Sequence, residues 1–292
     1  MFEHRDEYRI VKMCEVLKVS TSGYYKWILN EPGEREEKKK EIMKMIRRIF
    51  HENRSVYGSP RITYELRDLG VCISEKTVGR YMKEMNLCAT PKKKYIQTTD
   101  SNHSNPIYPN LLQRNFHSEA PDRVWVSDIT YIWTSEGWLY LATVMDLFSR
   151  KIVGWSIDQS LTKDLALQAL DRATLMREPS DELIHHSDRG SQYTSNEYIE
   201  RLSEHDIKIS MSRKGDCFDN ACIESFHATI KKELIYRTHF KTREEAKWEV
   251  WKYIMTFYNA KRKHSTIDYY SPNQFERDYE KRKEDKVTSH SA

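Results

Sequence analysis

Three acidic side chains stand where the local sequence does not favour them. Asp128 lies in the middle of VWVSDITYIW, where a carboxylate among Val, Ile and Trp is unfavourable. Asp188 closes the apolar run LIHHSD and precedes a sharp Arg-Gly-Ser turn. Glu224 lies on a predicted helix, on the stripe beside its apolar face. Two strands and a helix can bring three such side chains to one end of a sheet.

Carboxylates that converge repel one another unless a cation joins them, so this cluster predicts a bound divalent metal. Mg²⁺, or Mn²⁺ in its place, takes oxygen ligands and acts on phosphates. Two ions about 3.5–4 Å apart would activate an attacking oxygen and stabilise a leaving one in in-line phosphoryl transfer. The alternative is that these acids face turns or pair with Lys or Arg, and the spacing alone leaves that alternative open.

The elements that must hold these carboxylates follow from the apolar patterning. Predicted strands cover 124–134, 138–145, 151–157, 182–186 and 208–211. Predicted helices cover 162–176, the segment that the capping box Thr194-x-x-Glu197 opens, and about 219–236. Three antiparallel strands, a crossover helix, and then alternating strands and helices are the element order of a ribonuclease-H-like α/β fold, a mixed sheet flanked by helices.

The N-terminal part of the chain is predicted to be all-α. Two short helices cover 8–27, and a charged amphipathic helix covers 34–54. A helix over 61–69, a turn with Gly70, and a helix over 75–85 that Ser74 caps outline a helix-turn-helix. Its second helix carries Lys76, Arg80 and Lys83. An ordinary helical hairpin would give the same pattern.

The domain organisation follows from these elements and from composition. We predict an N-terminal helical segment, a helix-turn-helix-like domain, a linker rich in Pro, Asn, Ser and Lys, a ribonuclease-H-like domain with C-terminal helices, and a charged tail. In the same order these cover 1–33, 34–90, 91–119, 120–276 and 277–292.

Composition excludes several classes of protein. The 292 residues have a formal net charge of +4, and the longest apolar stretch, 139–148, is interrupted by Asp146. The N-terminus has no apolar segment of the kind found in secretory signals. Five cysteines without a CxxC pair indicate free thiols in a reducing compartment. A cytoplasmic protein without a membrane partner is therefore expected.

Four tryptophans are predicted to lie in the sheet core rather than to stack on bases: Trp125, Trp133, Trp138 and Trp155.

The motifs WVSDITYI, HSDRGSQYTS and DNACIESFHATIKKE, with 35 residues between Asp188 and Glu224, resemble the DDE transposases of bacterial insertion sequences. The similarity is to the second-reading-frame product of the IS3 family, whose catalytic core is similar to retroviral integrases. It extends over nearly the whole chain. YGSPRI at 57–62 and the helix pair after it resemble the family's helix-turn-helix segment, and SPNQFE near the end resembles its closing motif.

Two further family positions lie downstream of the glutamate. The basic residue seven positions after it is matched by Lys231, which is almost directly above Glu224 two helical turns on. The family's Tyr-Asn-x-x-Arg-x-x-His element is matched, with the histidine one position nearer the arginine, by Tyr258, Asn259, Arg262 and His264.

The resemblance implies a DDE-type transposase, a metal-dependent polynucleotidyl transferase in which Asp128, Asp188 and Glu224 are catalytic and hold Mg²⁺ or Mn²⁺ as two ions. Water or a DNA 3′-hydroxyl attacks a phosphodiester in line without a covalent enzyme intermediate, so strands are cleaved and transferred. Lys231 is expected to contact the phosphate backbone of the element's end. The other residues expected to bind DNA are Lys76, Arg80, Lys83, Tyr258, Asn259, Arg262 and His264.

Neighbouring polar residues are given structural interpretations. Asp146 also ends an apolar strand, but the family triad omits it, and we expect it to bind the turn that follows. Asp216 and Asp219 are expected to cap the glutamate helix or to complement its dipole. His186 is expected to pack, whereas Asn220 either orients a ligand or caps the helix.

Partners follow from the implied chemistry. DNA is the substrate, joining two DNA ends requires at least a dimer, and family members often act as a fusion with the upstream-frame product. One alternative is a catalytically silent DNA-binding regulator that uses residues 8–85. Another is a ribonuclease-H-type nuclease, which the helical N-terminal segments disfavour. The three intact acids favour the transposase, because a protein retained only for binding would be free to lose any of them.

Overall fold

The computed structural model describes residues 1–28, 34–89, 106–179, 182–214 and 216–290. The chain divides into two compact units, residues 1–88 and 89–292. Most of the predicted linker, 91–105, lies outside the described residues. No helix among the described residues is long and apolar enough to cross a lipid bilayer.

The N-terminal unit is all-α, as predicted. Its helices are α1 Ile10–Leu17, α2 Thr21–Ile28, α3 Glu34–Glu52, α4 Ser59–Asp68 and α5 Glu75–Glu84. Apolar side chains on the facing sides of α3, α4 and α5 are fully buried, among them Ile46, Ile62, Leu66 and Val78. This small core fixes the α4–α5 pair against α3.

The turn between α4 and α5 has the predicted chemistry. Gly70 has a φ of +79°, a left-handed conformation that glycine adopts without steric cost. The Ser74 hydroxyl accepts a hydrogen bond from the backbone N–H of Thr77 at 3.2 Å and caps α5. The helix, glycine turn and capped helix predicted from the sequence are therefore confirmed.

The second unit contains a five-stranded mixed sheet. Its strands are β1 Val124–Thr134, β2 Gly137–Asp146, β3 Ile152–Asp158, β4 Ile184–Ser187 and β5 Lys208–Met211. Their order in the sheet is β3-β2-β1-β4-β5. The pairs β1–β2 and β2–β3 are antiparallel, whereas β4 pairs in parallel with both β1 and β5. This is the ribonuclease-H-like topology that the element order predicts.

Helices flank the sheet. They are α6 Lys163–Arg177, α7 Asn196–Glu204, α8 Ala221–Glu233, α9 Arg243–Lys252 and α10 Pro272–His290, with a π-helical turn, Tyr253–Tyr258, directly after α9. Helix α6 packs so closely on β3 that a Cβ atom at Gly154 would collide with the carbonyl oxygen of Ala169. The buried core between α6, α7 and the sheet includes Trp125, Val144 and Leu170.

Three details differ from the sequence prediction. Ser195, not Thr194, caps α7, because its hydroxyl accepts from the N–H of Tyr198, whereas the Thr194 hydroxyl donates to the carbonyl of Gly190. The predicted helix over 219–236 is an α-helix only in its middle and has a 3₁₀ turn at each end. Trp133 and Trp138 are 53% and 49% exposed, so their assignment to the core was wrong, whereas Trp125 is buried as predicted.

His185 of β4 is buried in the core. Its burial is expected to make the stability of the protein depend on pH. Its Nε2 lies 2.8 Å from Ser127 Oγ and 3.0 Å from Tyr198 Oη. Burial, reinforced by the charge of His186, lowers the pKa of His185 from 6.5 to about 3. The folded protein therefore stays unprotonated at this site while the unfolded chain takes up a proton, and stability is lost as the pH falls below 6.5.

We expect His185→Gln to remove this sensitivity. Between pH 6.5 and pH 5 the wild type should lose about 2 kcal/mol more unfolding free energy than the variant, because each pH unit between the two pKa values is worth about 1.4 kcal/mol. Urea denaturation at the two pH values measures the difference. Equal losses in the two proteins would contradict the prediction.

Candidate active site

Asp128 lies in the middle of β1, opposite Thr143 of β2. Its side chain is 21% exposed. One carboxylate oxygen, Oδ1, accepts from the backbone N–H of Ile129 at 2.8 Å. The other, Oδ2, lies 3.2 Å from Nδ1 of His227. Both oxygens are thus oriented by the protein.

The contact of His227 of α8 with Asp128 was not predicted from the sequence. The imidazole of His227 is buried, and its Nε2 lies 2.8 Å from the hydroxyl of Thr143. Because an ionised carboxylate only accepts hydrogen bonds, Nδ1 carries the proton towards Asp128, and a neutral ring then accepts from Thr143 at Nε2. A histidine three positions after Glu224, on the same side of a helix, is the signal that could have identified it.

Asp188 directly follows β4. Its Oδ1 accepts from the backbone N–H of Gly190 at 2.8 Å. A Cβ atom at position 190 would stand 3.0 Å from that oxygen, so a larger residue would displace the carboxylate. The Asp-Arg-Gly turn therefore fixes the side chain at the end of the strand.

Glu224 lies in the first turn of α8. Burial, followed by the charges of Asp128 and Glu224, raises the pKa of Asp188 to about 7. Burial and the charge of Asp128 raise the pKa of Glu224 to about 7. The charge of Asp128 therefore acts on both other predicted carboxylates, and the charge of Glu224 acts on Asp188.

The three carboxylates do not form a preassembled chelate. Within the part of the chain that the structure describes, no three His, Cys, Asp or Glu side chains are placed to hold a metal ion. The donor set nevertheless suits Mg²⁺, because it consists of oxygen atoms alone. Beside it, the Nδ2 of Asn220 donates to the carbonyl of Ser127 at 3.1 Å, while its buried Oδ1 has no hydrogen-bond partner. A hydrated cation between these groups would relieve the repulsion and satisfy the amide oxygen.

Asp219 does not cap the glutamate helix, which was one of the two roles predicted for it. Its fully buried carboxylate accepts from the guanidinium groups of Arg213 and Arg114 at 2.8–2.9 Å and from Asn110 at 2.9 Å. Hydrogen bonds from Arg213 hold its pKa far below the usual range. Asp216 instead caps the 3₁₀ turn before α8 by accepting from Phe218. Asp219 therefore anchors the loop that leads to Glu224.

Asp146 and His186 have the structural roles expected of them. Asp146 accepts from the backbone N–H of Phe148, within the turn after β2, and from that of Asp122, each at 2.7 Å. Arg177 approaches the same carboxylate at 3.2 Å. His186 is buried, with its ring nitrogens 2.8 Å from Ser210 Oγ and 3.1 Å from Ser212 Oγ. Neither side chain joins the three carboxylates.

Lys231 is buried rather than presented on the surface. Its ammonium lies 5.3 Å from the centre of the Tyr131 ring. Burial lowers its pKa to about 8, although the nearby charge of Asp128 acts in the opposite direction. Its contact with the DNA backbone stays a prediction.

The element that contains Tyr258, Asn259 and Arg262 is also buried. Asn259 donates to the carbonyl of Ile152 and accepts from its N–H, at 2.9 and 3.0 Å, and so extends the edge of β3. Arg262 binds Glu233 through two nitrogens, at 2.7 and 2.9 Å. We interpret these contacts of Asn259 and Arg262 as stabilising the fold. DNA binding by Tyr258, Asn259 and Arg262 stays a prediction.

The remaining predicted DNA contacts are more accessible. His264 is half-buried, 3.3 Å from a guanidinium nitrogen of Arg262. Lys76, Arg80 and Lys83 are exposed along one side of α5. Their spacing of four and three residues places the three charges in a row.

We expect loss of the His227–Asp128 contact to weaken metal binding. His227→Phe keeps a buried ring but removes both hydrogen bonds, and partners that orient a metal ligand are typically worth 10–100-fold in affinity. His227→Asn retains a donor near the Nδ1 position and should recover part of the loss. Titration of the variants with Mn²⁺, followed by electron paramagnetic resonance, measures the affinity. Identical affinities for wild type and His227→Phe would show that this contact does not position Asp128.

Comparison with known proteins gives both family and structural matches. Residues 118–217 and 205–272 match the Integrase core domain family, and residues 36–95 match the HTH-like domain family. Among solved structures, the chain matches a simian T-cell lymphotropic virus intasome at 15% identity with a TM-score of 0.46, over 75% of this chain and 70% of that one. It matches the HTLV-2 integrase catalytic core domain at 18% identity with a TM-score of 0.41, over 54% and 98%.

Similarity to two insertion-element proteins covers almost the entire chain. The chain is 41% identical to the IS600 31 kDa protein of Shigella sonnei, over 91% of this chain and 98% of that protein. It is 39% identical to the transposase InsF for insertion sequence IS3A of Escherichia coli K12, over 94% of this chain and 96% of that protein. The chain belongs to the IS3 family of insertion-sequence transposases.

Proposed function

We propose that this transposase is a metal-dependent polynucleotidyl transferase that cleaves DNA at the ends of its insertion sequence and joins them to a target. The observation that supports this proposal is that the charge of Asp128, on a central strand, acts on both Asp188, at a strand end, and Glu224, on a helix. Partly buried acids whose pKa a neighbouring carboxylate raises are suited to binding a cation rather than to stabilising the fold.

The three carboxylates would hold Mg²⁺ or Mn²⁺, as two ions. When bound, the ions would supply Lewis-acid stabilisation of the attacking and leaving oxygens. The protein's own contribution is orientation: Gly190 fixes Asp188, and His227 with Ile129 fixes Asp128. Holding the ligands in place before the substrate arrives reduces the reorganisation that the reaction requires.

The proposed reaction has two steps of the same kind. Water first attacks the phosphodiester at the element's end, a new P–O bond forms, and the DNA 3′-oxygen leaves. The freed 3′-hydroxyl then attacks a target phosphodiester in line, a new P–O bond forms, and the bridging oxygen of the target strand leaves. In each step the attacking oxygen gives up its proton to solvent, the leaving oxygen takes one up, and no enzyme side chain bonds to phosphorus.

The row Lys76, Arg80 and Lys83 on α5 is proposed to bind duplex DNA. Each phosphate contact releases condensed counterions, so the slope of log K against log[salt] changes by about 0.9 per contact. The triple Gln variant should therefore have a slope smaller by up to about 2.7. A salt series of binding measurements on element-end DNA checks this value. Lys247→Gln, a surface lysine of α9 that pairs with Glu244, serves as the control, and an unchanged slope in the triple variant would exclude this helix face.

A second copy of the chain and the upstream-frame product are the proposed protein partners, because two DNA ends must be joined.

One assay distinguishes the enzyme from a silent DNA-binding regulator. Labelled DNA that carries the element's ends is incubated with the chain, with and without the upstream-frame product, in Mg²⁺, Mn²⁺ or EDTA. New 3′-hydroxyl ends and joined products that depend on the metal support the transferase. DNA binding without any cleavage, even with the partner present, supports the regulator.

A further inference from the structure

The hairpin of β1 and β2 carries an exposed aromatic pair. Trp133 and Trp138 face each other across the two strands, with ring centroids 4.7 Å apart and planes at 71°. They are 53% and 49% exposed. Tyr131 lies next in the row, 6.2 Å from the Trp138 ring. Three aromatic side chains are thus grouped at one end of the sheet. Two of them, Trp133 and Trp138, are about half exposed to solvent.

A basic segment runs beside this hairpin. Residues 237–243 have the sequence RTHFKTR, in which every second residue is basic. Phe240 is buried, while Arg237, His239 and Lys241 are exposed. The segment is held against the hairpin by the N–H of Ser135, which donates to the carbonyl of Phe240 at 3.0 Å.

Lys231 connects the aromatic row with Asp128, one of the three carboxylates. The Lys231 ammonium lies 5.3 Å from the Tyr131 ring and is influenced by the charge of Asp128. Along β1, Asp128 and Trp133 are five residues apart, a distance of about 17 Å, and this odd separation turns their side chains to opposite faces of the sheet. A DNA strand bound at the carboxylates would therefore reach the tryptophans by passing the contact between Lys231 and Tyr131.

We propose that this hairpin surface, formed by Tyr131, Trp133, Trp138, Arg237, His239 and Lys241, binds the unpaired bases of a DNA strand. The proposal rests on the proposed function, since it concerns DNA at the same site. Exposed aromatic rings stack on bases without regard to sequence, and a neighbouring basic segment binds the phosphates of the same strand. A duplex keeps the faces of its bases stacked inside, so the rings select a frayed or single strand.

A second exposed tryptophan pair has no alternating basic segment beside it, whereas the hairpin surface has one together with the acidic Glu136 and Glu245. Trp248 and Trp251 of α9 are 58% and 38% exposed and stack on each other at 14°. Their flanking charges are mixed, because Lys247 pairs with Glu244. This pair therefore makes a matched control for the loss of two exposed tryptophans.

Binding to a 15-nucleotide oligothymidine and to a blunt duplex of the same length tests the proposal. Fluorescence anisotropy of the full-length chain is measured in EDTA, so the result does not depend on cleavage. For Trp133→Leu/Trp138→Leu we expect about 10-fold weaker binding of the single strand, because stacking on aromatic rings provides much of the affinity, with little change for the duplex. Trp133→Phe/Trp138→Phe should restore most of the affinity, and Trp248→Leu/Trp251→Leu should bind both DNAs as the wild type does.

The charges give a separate readout. Arg237→Gln/Lys241→Gln should lower the salt slope for the single strand by about 1.4, at about 0.7 per phosphate contact. Thermal unfolding confirms that the variants are folded. Unchanged single-strand binding by the Leu pair, or an equal loss for single strand and duplex, would overturn the proposal. Metal-dependent cleavage could still occur in that case, so the failure would not be confused with failure of the transferase chemistry.

Discussion

Replacing Asp188 by Asn is expected to lower the affinity of the protein for Mn²⁺ by more than about 100-fold, the upper end of what loss of an outer-shell partner costs. The substitution removes a charged ligand oxygen and keeps the size of the side chain. It also relieves repulsion, since the charges of Asp128 and Glu224 act on Asp188. The variant should therefore be at least as stable as the metal-free wild type while binding metal far more weakly.

Isothermal titration of Mn²⁺ into the two proteins measures the affinity, and urea denaturation in EDTA measures the stability. Glu244→Gln is the control, because this glutamate is 83% exposed and pairs with Lys247 on the surface of α9. Equal Mn²⁺ affinities of wild type and Asp188→Asn would contradict the assignment of Asp188 as a ligand. A variant that binds weakly only because it is unfolded is identified by its denaturation curve.

Replacing Arg262 by Met is expected to destabilise the protein by about 3–5 kcal/mol, the usual cost of leaving one buried ion without its partner. The side chains of Arg262 and Glu233 are 6% and 9% exposed. Glu233 also accepts from the hydroxyl of Tyr253 at 2.7 Å. This pair connects the end of α8 to the segment after the π-helical turn, so its loss is expected to loosen the helix that carries Glu224.

Removing both charges together provides the control. Glu233→Met/Arg262→Met leaves no unpaired ion and should recover much of the lost stability, because apolar residues of similar volume often replace a buried pair at little cost. Chemical denaturation of the two variants measures the difference. A folded Arg262→Met of wild-type stability with much weaker DNA binding would instead support the original prediction that Arg262 contacts DNA.

Local patterns predicted most of the fold. The β-branched and aromatic run over 124–134 predicted β1 with its bounds. Gly70 predicted the turn between α4 and α5, and Ser74 predicted where α5 begins. Asp128, Asp188 and Glu224 could be singled out because each stands against its local apolar context. The structure then brings Asp128 close enough for its charge to act on Asp188 and Glu224, which no spacing along the chain could establish.

Contacts between distant residues account for what the sequence did not predict. Asp219 is bound by Arg114, which lies 105 positions away, as well as by Arg213, whereas its neighbours in sequence indicated only a role at the start of the helix. The exposure of Trp133 and Trp138 depends on which helices cover each face of the sheet. Asn259 and Arg262 fit a family motif, but only the fold shows that β3 and Glu233 bind their polar groups.

Cleavage and joining of element-end DNA by wild type, Glu224→Gln and Glu244→Gln is the measurement that tests the central claim most directly. The reactions are run in Mg²⁺ with the upstream-frame product present, and DNA binding is measured in parallel. We predict metal-dependent cleavage and joining by the wild type and by Glu244→Gln, and neither reaction by Glu224→Gln, with equal DNA binding by all three. Cleavage by Glu224→Gln at the wild-type rate would contradict the claim that these three carboxylates carry out the chemistry.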